Sequence, residues 1–214
     1  MQRTNKLIAT RNTINNGLRL FFAIFPPKSY FEYFKNVLDI FSKEQRNLRN
    51  VSLEDMHLTL KFVGASVSPE SMNLLISEVR SRINLFVPPR IEIKSIRFGF
   101  KDQTYPDILI AEVIPNRELK DLSDSLHYIV KLVGAEDTIR WKNKHFNNFH
   151  ITLARLKKNV SYPVAKRIQN ISINTNGIQI PPSFVPQDFK LIESFQSKHK
   201  SSYTYKVIES FLFN

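Results

Sequence analysis

The sequence predicts an α+β fold in which two similar lobes of strands and helices face each other. Hydrophobic patterns with the periods of strands and of helices follow one another along the chain, and the order strand, helix, strand, helix, strand occurs twice. Two stretches of similar sequence, residues 56–64 and 149–155, lie at corresponding places in the two halves. A chain of 214 residues can bury an ample core, so we expect residues 18–214 to form a single bilobal domain.

The first half contains start and stop signals for its predicted elements. Pro26 and Pro27 end an aromatic and aliphatic strand, and Ser68 and Pro69 suit the N-cap and the first position of a helix. The predicted elements are a strand at 18–25, a helix with an apolar stripe from Tyr30 to Phe41, a polar loop at 42–52, a strand at 56–64 ended by Gly64, a helix striped from Met72 to Ile83, and strands at 91–98 and 107–113.

The second half repeats this pattern. Pro115 is the predicted start of a helix with an apolar stripe from Leu119 to Val133, and Gly134 is its predicted C-terminal stop. The remaining predicted elements are a strand at 149–155, a helix at 163–173, and closing strands at 184–192 and 203–213.

Composition narrows the class of protein. The 31 Lys and Arg residues against 19 Asp and Glu give a net charge of +12 and a pI of about 9.9, which favours polyanionic partners such as nucleic acid. Cysteine is absent, which excludes disulfides, thiol catalysis and thiolate metal sites, and it fits the reducing cytoplasm. No apolar run has the length of a transmembrane helix, so we expect no membrane partner. Residues 1–17 contain no acidic residue and are expected to form a basic, disordered leader, with a transit peptide as the alternative.

Two His-x-Thr pairs are the candidate catalytic groups. Because side chains alternate along a strand, His57 and Thr59 share one face while their aliphatic neighbours face the core, and the same holds for His150 and Thr152. The alternative for each pair alone is a half-buried strand histidine without a catalytic role. The other three histidines, His127, His145 and His199, lack this strand context. A matched pair on two strands therefore predicts a site for proton-transfer chemistry.

These motifs resemble those of the 2H phosphoesterases, and within them the bacterial and archaeal RNA 2′,3′-cyclic phosphodiesterases, also called 2′-5′ RNA ligases. The resemblance implies two antiparallel sheets lining a central cleft, with helices outside. It extends over residues 19–27, 56–64, 150–155, 189–194 and 203–213. Two departures put substrate preference in question: Phe149 stands where the family often has proline, and residues 50–52 replace a Trp-Pro approach to the first motif.

The resemblance implies metal-independent hydrolysis of RNA 2′,3′-cyclic phosphate ends to 2′-phosphomonoesters, without a cofactor. By this resemblance His57 is the general acid and His150 the general base, although the near symmetry of the motifs allows the reverse. Histidine suits both roles because its ordinary pKa lies near neutrality. Thr59 and Thr152 are expected to hydrogen-bond the non-bridging phosphoryl oxygens. The expected partner is an RNA or oligonucleotide, and we expect a monomer without an obligate protein partner.

Two further positions follow from the resemblance, each five residues after a histidine. Arg155 corresponds to a phosphate-binding arginine, and Phe62 to an aromatic residue that stacks on a base. In an ideal strand an odd offset places a residue on the opposite face from its histidine, so a bulge or a strand end is required at both positions. The alternatives are that Phe62 lies in the core and that Arg155 is a surface charge.

Other functions remain open at this point. Action on 2′-5′-linked oligonucleotides, as hydrolase or ligase, is the alternative within the family, and a non-catalytic RNA-binding module is the alternative from another class. A metal site formed by His145, His150 and Asp55 matches no zinc spacing, and neighbouring lysines oppose it. Trp141 is either a base-stacking residue or a packing residue.

Overall fold

The computed structural model describes residues 17–100, 103–135, 148–173, 179–196 and 203–213. The leader predicted at residues 1–17 lies outside this part of the chain except for Gly17. Trp141, His145 and His199 also lie outside it, so the predictions made for these three residues stay predictions.

Within the described residues, eight strands form an antiparallel sheet whose spatial order is β4-β5-β6-β3-β1-β7-β8, with β2 paired to β6. Their bounds are β1 Leu18–Ile24, β2 Leu48–Asn50, β3 Leu58–Val67, β4 Ile93–Phe98, β5 Ile108–Val113, β6 His150–Leu156, β7 Asp188–Gln196 and β8 Tyr203–Leu212. The α+β fold class is confirmed, and the predicted His/Thr strands β3 and β6 are neighbours at the centre of the sheet.

The two predicted sheets meet at a single residue pair. β3 and β6 pair only at Leu58 and Ile151, whereas β3 pairs with β1, and β6 with β5, over several residues. One half of the sheet is β3-β1-β7-β8 and contains strands from both ends of the described chain, and the other half is β2 and β4-β5-β6. The two lobes are therefore halves of one sheet that separate on either side of their central strands.

In the part of the chain that the structure describes, four α-helices contribute to the main core on one face of the sheet. They are α1 Phe31–Ile40, α2 Pro69–Ser81, α3 Arg117–Leu132 and α4 Tyr162–Ile173. Their buried apolar residues join those of β1, β3, β5 and β6 in one cluster, with Phe22, Phe34, Leu58, Leu126, Ile151 and Ile168 each fully buried. The opposite face of the sheet carries His57 and a smaller cluster of Phe21, Ala23 and Ile192. One face of the sheet thus packs against the helices in the main core, and the opposite face is available for a functional site.

The helix caps explain where two helices begin and end. Ser68 is the N-cap of α2, and its Oγ accepts a hydrogen bond from the Ser71 backbone N–H at 3.1 Å. α3 begins after Asn116, whose Oδ1 accepts from the Leu119 N–H at 2.8 Å. Gly134 has a φ of +65° and follows the end of α3, a backbone conformation that favours glycine.

Several predicted bounds were wrong. Pro115 does not start α3, because the Asn116 side chain caps the helix one residue later. β3 continues past Gly64 to Val67, and part of the predicted loop at 42–52 forms β2 on the edge of β6. β7 begins at Asp188, since Phe184 forms only an isolated bridge with Ile91. Across the described ranges, no helix combines the length and apolar character needed to cross a bilayer.

Candidate active site

The two His/Thr pairs meet where β3 and β6 touch. Leu58 and Ile151 are directly paired and fully buried on the core face. Continuing this antiparallel register by one residue each way places Thr152 opposite His57 and His150 opposite Thr59, all on the other face. The charge of His150 also lowers the pKa of His57, as expected for two neighbouring rings. The sequence-predicted residues are therefore brought together around a local two-fold arrangement.

Both imidazole rings are held in the same way. Nδ1 of His57 lies 2.7 Å from the carbonyl oxygen of Asp55, and Nδ1 of His150 lies 2.8 Å from that of Asn148. A carbonyl oxygen can only accept, so Nδ1–H donates in both rings. The neutral tautomer is thereby fixed, and Nε2 is the nitrogen of each ring that can take or give a proton.

Aromatic rings surround His57. The ring centroids of Phe21, Tyr205 and Phe25 lie 4.9, 5.2 and 5.6 Å from that of His57. Burial among these rings lowers the pKa of His57 from 6.5 to about 4 and outweighs the hydrogen bond to the Asp55 carbonyl and the Asp55 charge, which both raise it. His57 is therefore neutral at pH 7 in the unliganded chain.

His150 has a related but milder environment. The Phe100 ring meets it edge-on, with 5.0 Å between ring centroids. Burial lowers the pKa of His150, the hydrogen bond to the Asn148 carbonyl raises it, and the nearby positive charge of Arg155 lowers it. Phe100 follows β4 by two residues, and no sequence motif points to this role.

A β-bulge occurs at the same place in each of the two histidine strands. In β3, Lys61 pairs with Phe22 but Thr59 pairs with Ala23, so Leu60 is the extra residue. In β6, Ala154 and Thr152 pair with the consecutive residues Leu109 and Ile110, so Leu153 is the extra residue. Both extra residues lie three positions after a histidine. Beyond an extra residue, the side chains of a strand switch faces. Phe62 and Arg155, at an odd offset from their histidines, therefore lie on the same face as those histidines, as the sequence analysis required.

Phe62 lies on the histidine face. It packs against the small cluster of Phe21, Ala23 and Ile192, together with Phe25 and Tyr205, and is half-buried there. Three of these residues also contact His57. The alternative that Phe62 belongs to the main core is therefore not what the structure shows, and its use in base stacking stays a prediction.

Arg155 lies within electrostatic range of both histidines, because its charge lowers the pKa of each. Its side chain is exposed, as a ligand-binding guanidinium requires. In the β2–β6 pair Arg155 lies opposite Arg49, so the two side chains share a face. Arg49 was missed from the sequence because its strand was assigned to a loop. Two arginines on one side of the histidine pair suit an anionic ligand.

The structure shows the surroundings of the two positions that depart from the family pattern, Phe149 and residues 50–52. Phe149 is buried in the main core, so it does not line the histidine face. At the other departure, the Ser52 hydroxyl donates a hydrogen bond to the Asp55 side-chain carboxylate at 2.6 Å. The backbone carbonyl of the same Asp55 accepts the hydrogen bond from His57. Residues 50–52 therefore support the turn that orients the first histidine.

The described residues provide no support for the hypothesis of a metal site. Within the described ranges, no three His, Asp or Glu side chains come together as a metal-binding group. His145, which that hypothesis requires, lies outside those ranges.

Comparison with known proteins identifies the fold. The sequence matches no protein-family model and no curated protein. Among solved structures, TT0787 of Thermus thermophilus superposes with a TM-score of 0.71 at 21% identity, over 92% of this chain and 98% of that one. LigT of E. coli complexed with 3′-AMP gives a TM-score of 0.59 at 20% identity, and a protein described as a phosphoesterase gives 0.60 at 20%, each over 92% of this chain and 98% of the other. The chain therefore has the fold of the 2H phosphoesterases.

Proposed function

We propose that the chain hydrolyses RNA 2′,3′-cyclic phosphate ends to 2′-phosphomonoesters without a metal ion. The observation that carries this proposal is the matched placement of His57 and His150, each with Nδ1–H donated to the carbonyl two residues before it. Two imidazoles with equivalent free Nε2 atoms supply the base and the acid that opening a cyclic phosphodiester needs.

The proposed reaction is a displacement by water at phosphorus. One histidine takes a proton from water as the water oxygen bonds to phosphorus. The bond between phosphorus and the 3′ oxygen breaks, and the other histidine gives its proton to that oxygen. The products are a 2′-phosphate and a free 3′-hydroxyl, with one proton removed from water and one proton delivered to the leaving oxygen.

The pKa values bear on which histidine is the acid. Resemblance to the family assigns the acid to His57 and the base to His150, with the reverse also allowed. Burial lowers the pKa of His57 to about 4, a stronger effect than at His150. In the unliganded chain a single proton therefore resides preferentially on His150, which favours the reverse assignment, with His57 as base.

The remaining proposed roles are contacts to the phosphoryl group and to the terminal nucleobase of the RNA. The hydroxyls of Thr59 and Thr152, each opposite a histidine in the continued register, are proposed to donate to the non-bridging oxygens as charge accumulates there. Arg155 is proposed to add a charged donor, and Phe62 to contact the terminal base.

Charge and the structural relatives support an RNA substrate. The net charge of +12 attracts polyanions and raises their encounter rate. LigT, which shares the fold, has been solved with 3′-AMP and also with phosphate, ATP and NADP⁺, all of which carry phosphate. An RNA end with a cyclic phosphate combines the polyanion and the reactive group.

The test is incubation of the purified protein, in EDTA, with a short RNA that bears a 2′,3′-cyclic phosphate. Chromatography that separates the 2′- from the 3′-phosphate product reads the outcome. We expect turnover that EDTA leaves unchanged and a 2′-phosphate as the product. No turnover under these conditions would contradict the proposal, and parallel incubation with a 2′-5′-linked dinucleotide then tests the alternative activity.

A further inference from the structure

Arg19 is held on the histidine face, at the far side of the aromatic rings that surround His57. Its Cζ lies 4.5 Å from the centroid of the Phe62 ring and 5.4 Å from that of Tyr203. Phe62 belongs to β3 and Tyr203 to β8, so the guanidinium is contacted from two separate strands. Such cation–π contacts fix the plane and position of a guanidinium before a ligand arrives.

No acidic side chain among the described residues forms an ion pair with Arg19, although it is half-buried. Burial raises the pKa of Tyr205, whereas the charges of Arg155 and Arg19 lower it. Tyr205 therefore lies within range of both cations, and its ring contacts His57. A path of positive charge runs from Arg155, past the histidines, to Arg19.

A buried hydroxyl lies beside Arg19. The β1–β7 register pairs Leu20 with Glu193, which places Ser194 opposite Arg19 on the histidine face. Ser194 is 5% exposed, and its Oγ has no hydrogen-bond partner among the described residues. Buried polar groups are ordinarily satisfied, so within the described residues the fold leaves both this hydroxyl and the Arg19 charge without a polar partner.

The spacing fits a second phosphate. Arg19 and Phe21 are two residues apart on β1, about 7 Å along the strand. The Phe21 ring centroid lies 4.9 Å from that of His57, where the cyclic phosphate is proposed to react. Successive phosphates of an extended RNA strand are separated by a comparable distance. This spacing suits a contact between Arg19 and the phosphate one nucleotide away from the reacting one.

We propose that Arg19, positioned by Phe62 and Tyr203, forms a subsite for the internucleotide phosphate on the 5′ side of the terminal nucleotide. This inference rests on the proposed function and specifies its substrate class. The substrate is an oligonucleotide, and a mononucleotide 2′,3′-cyclic phosphate lacks the group that Arg19 binds.

The test compares kcat/KM for a dinucleotide and for a mononucleotide that carry the same terminal base and 2′,3′-cyclic phosphate. The wild-type chain is expected to prefer the dinucleotide at least about tenfold, the worth of one charge-assisted contact. Arg19→Gln is expected to reduce this ratio about tenfold. Arg117→Gln on α3, whose side chain is 88% exposed, removes the same charge from the helix face and is expected to keep the wild-type ratio.

A second variant guards against a folding defect in Arg19→Gln. Tyr203 is 43% exposed, so Tyr203→Leu is expected to fold, to loosen Arg19 and to lower the ratio in the same direction. Equal kcat/KM for both substrates in the wild-type chain would overturn the subsite. So would a ratio that neither variant changes, because both residues would then have only structural roles.

Failure of the proposed function is separable from failure of the subsite. If the wild-type chain hydrolyses neither substrate, fluorescence anisotropy with labelled mono- and dinucleotide 3′-phosphates measures binding instead. A dinucleotide preference that Arg19→Gln removes would retain the subsite without the reaction. Equal affinity for both labelled probes would overturn it.

Discussion

At the scale of single residues, the local environment of each histidine determines what it can do. His57 and His150 make the same hydrogen bond to a carbonyl two residues back. Among the described residues, however, three aromatic rings surround His57 and one meets His150. The sequence motif predicted both residues and their shared face. It could not predict the difference in pKa, because Tyr205 and Phe100 reach the histidines from distant parts of the chain.

The lowered pKa values predict an acidic optimum for catalysis. The proposed reaction needs one protonated and one neutral histidine. Burial lowers the pKa of His57 to about 4 and also lowers that of His150 below 6.5. As pH rises above the higher of the two values, the protonated form of the proposed acid is lost from the unliganded chain. We therefore expect kcat/KM to be maximal between about pH 4 and 6.5 and to fall at higher pH.

Initial rates at low concentrations of a cyclic-phosphate RNA, from pH 4 to 9, measure this profile. A phosphodiester substrate does not titrate in that range, so the limbs belong to the protein. A kcat/KM that stays constant from pH 6 to 8 and falls only beyond would contradict the proposed electrostatics of the pair.

At the scale of secondary-structure elements, the bulges in β3 and β6 determine which side chains join the site. Period-two alternation predicted both strands and the core positions Leu58 and Ile151. It does not predict where an extra residue enters, because either register buries apolar side chains: Leu153 and Ala154 are consecutive and both fully buried. For that reason Arg155 and Phe62 could be placed only conditionally from the sequence.

Short elements were the least predictable part of the fold. β2 has three residues and is stabilised by its pairing with β6, so its own sequence carries little signal. The helices were predicted from their apolar stripes, since that signal is local. The start of α3 was misplaced because Pro115 suits a first helical position, whereas Asn116 provides the hydrogen bond that caps the helix.

The cap of α3 predicts a measurable stability difference. Asn116 Oδ1 accepts from the Leu119 N–H, and its Nδ2 donates to the Arg90 carbonyl at 2.5 Å. Asn116→Ala is expected to lower the free energy of unfolding by about 1 kcal/mol or more, because both bonds are lost. Asn36→Ala, at an exposed position inside α1, is the matched control and is expected to leave stability unchanged or slightly higher. Urea unfolding measures both, and equal midpoints for the two variants would show that the cap is not important.

At the scale of the whole molecule, the sheet topology and the net charge set the context of the site. The repeated order of strands and helices predicted two lobes and the approach of the two motifs. It did not predict that β7 and β8 return to the His57 half, a long-range pairing that no local pattern specifies. That return supplies Tyr203 and Tyr205 to the histidine face.

The excess of basic residues predicts salt-dependent RNA binding. With phosphate contacts that release counterions, the logarithm of the association constant should fall linearly with the logarithm of salt concentration. Arg155→Gln should make that slope shallower by about 0.7, the contribution of one phosphate of a single strand. Arg117→Gln should weaken binding little and keep the slope. Anisotropy titrations of a labelled RNA between low and high salt measure this, and a wild-type slope in Arg155→Gln would exclude Arg155 as a phosphate contact.

Separate alanine substitutions of His57 and His150, assayed for both turnover of a cyclic-phosphate RNA and RNA affinity, discriminate an enzyme from a binding module. We expect each substitution to reduce kcat by at least about 10²–10⁴-fold, because each removes a general acid or base. The dissociation constant for RNA should change only a few-fold, and His127→Ala on α3 should retain wild-type kcat. Wild-type turnover in either His57→Ala or His150→Ala would contradict the paired-histidine mechanism.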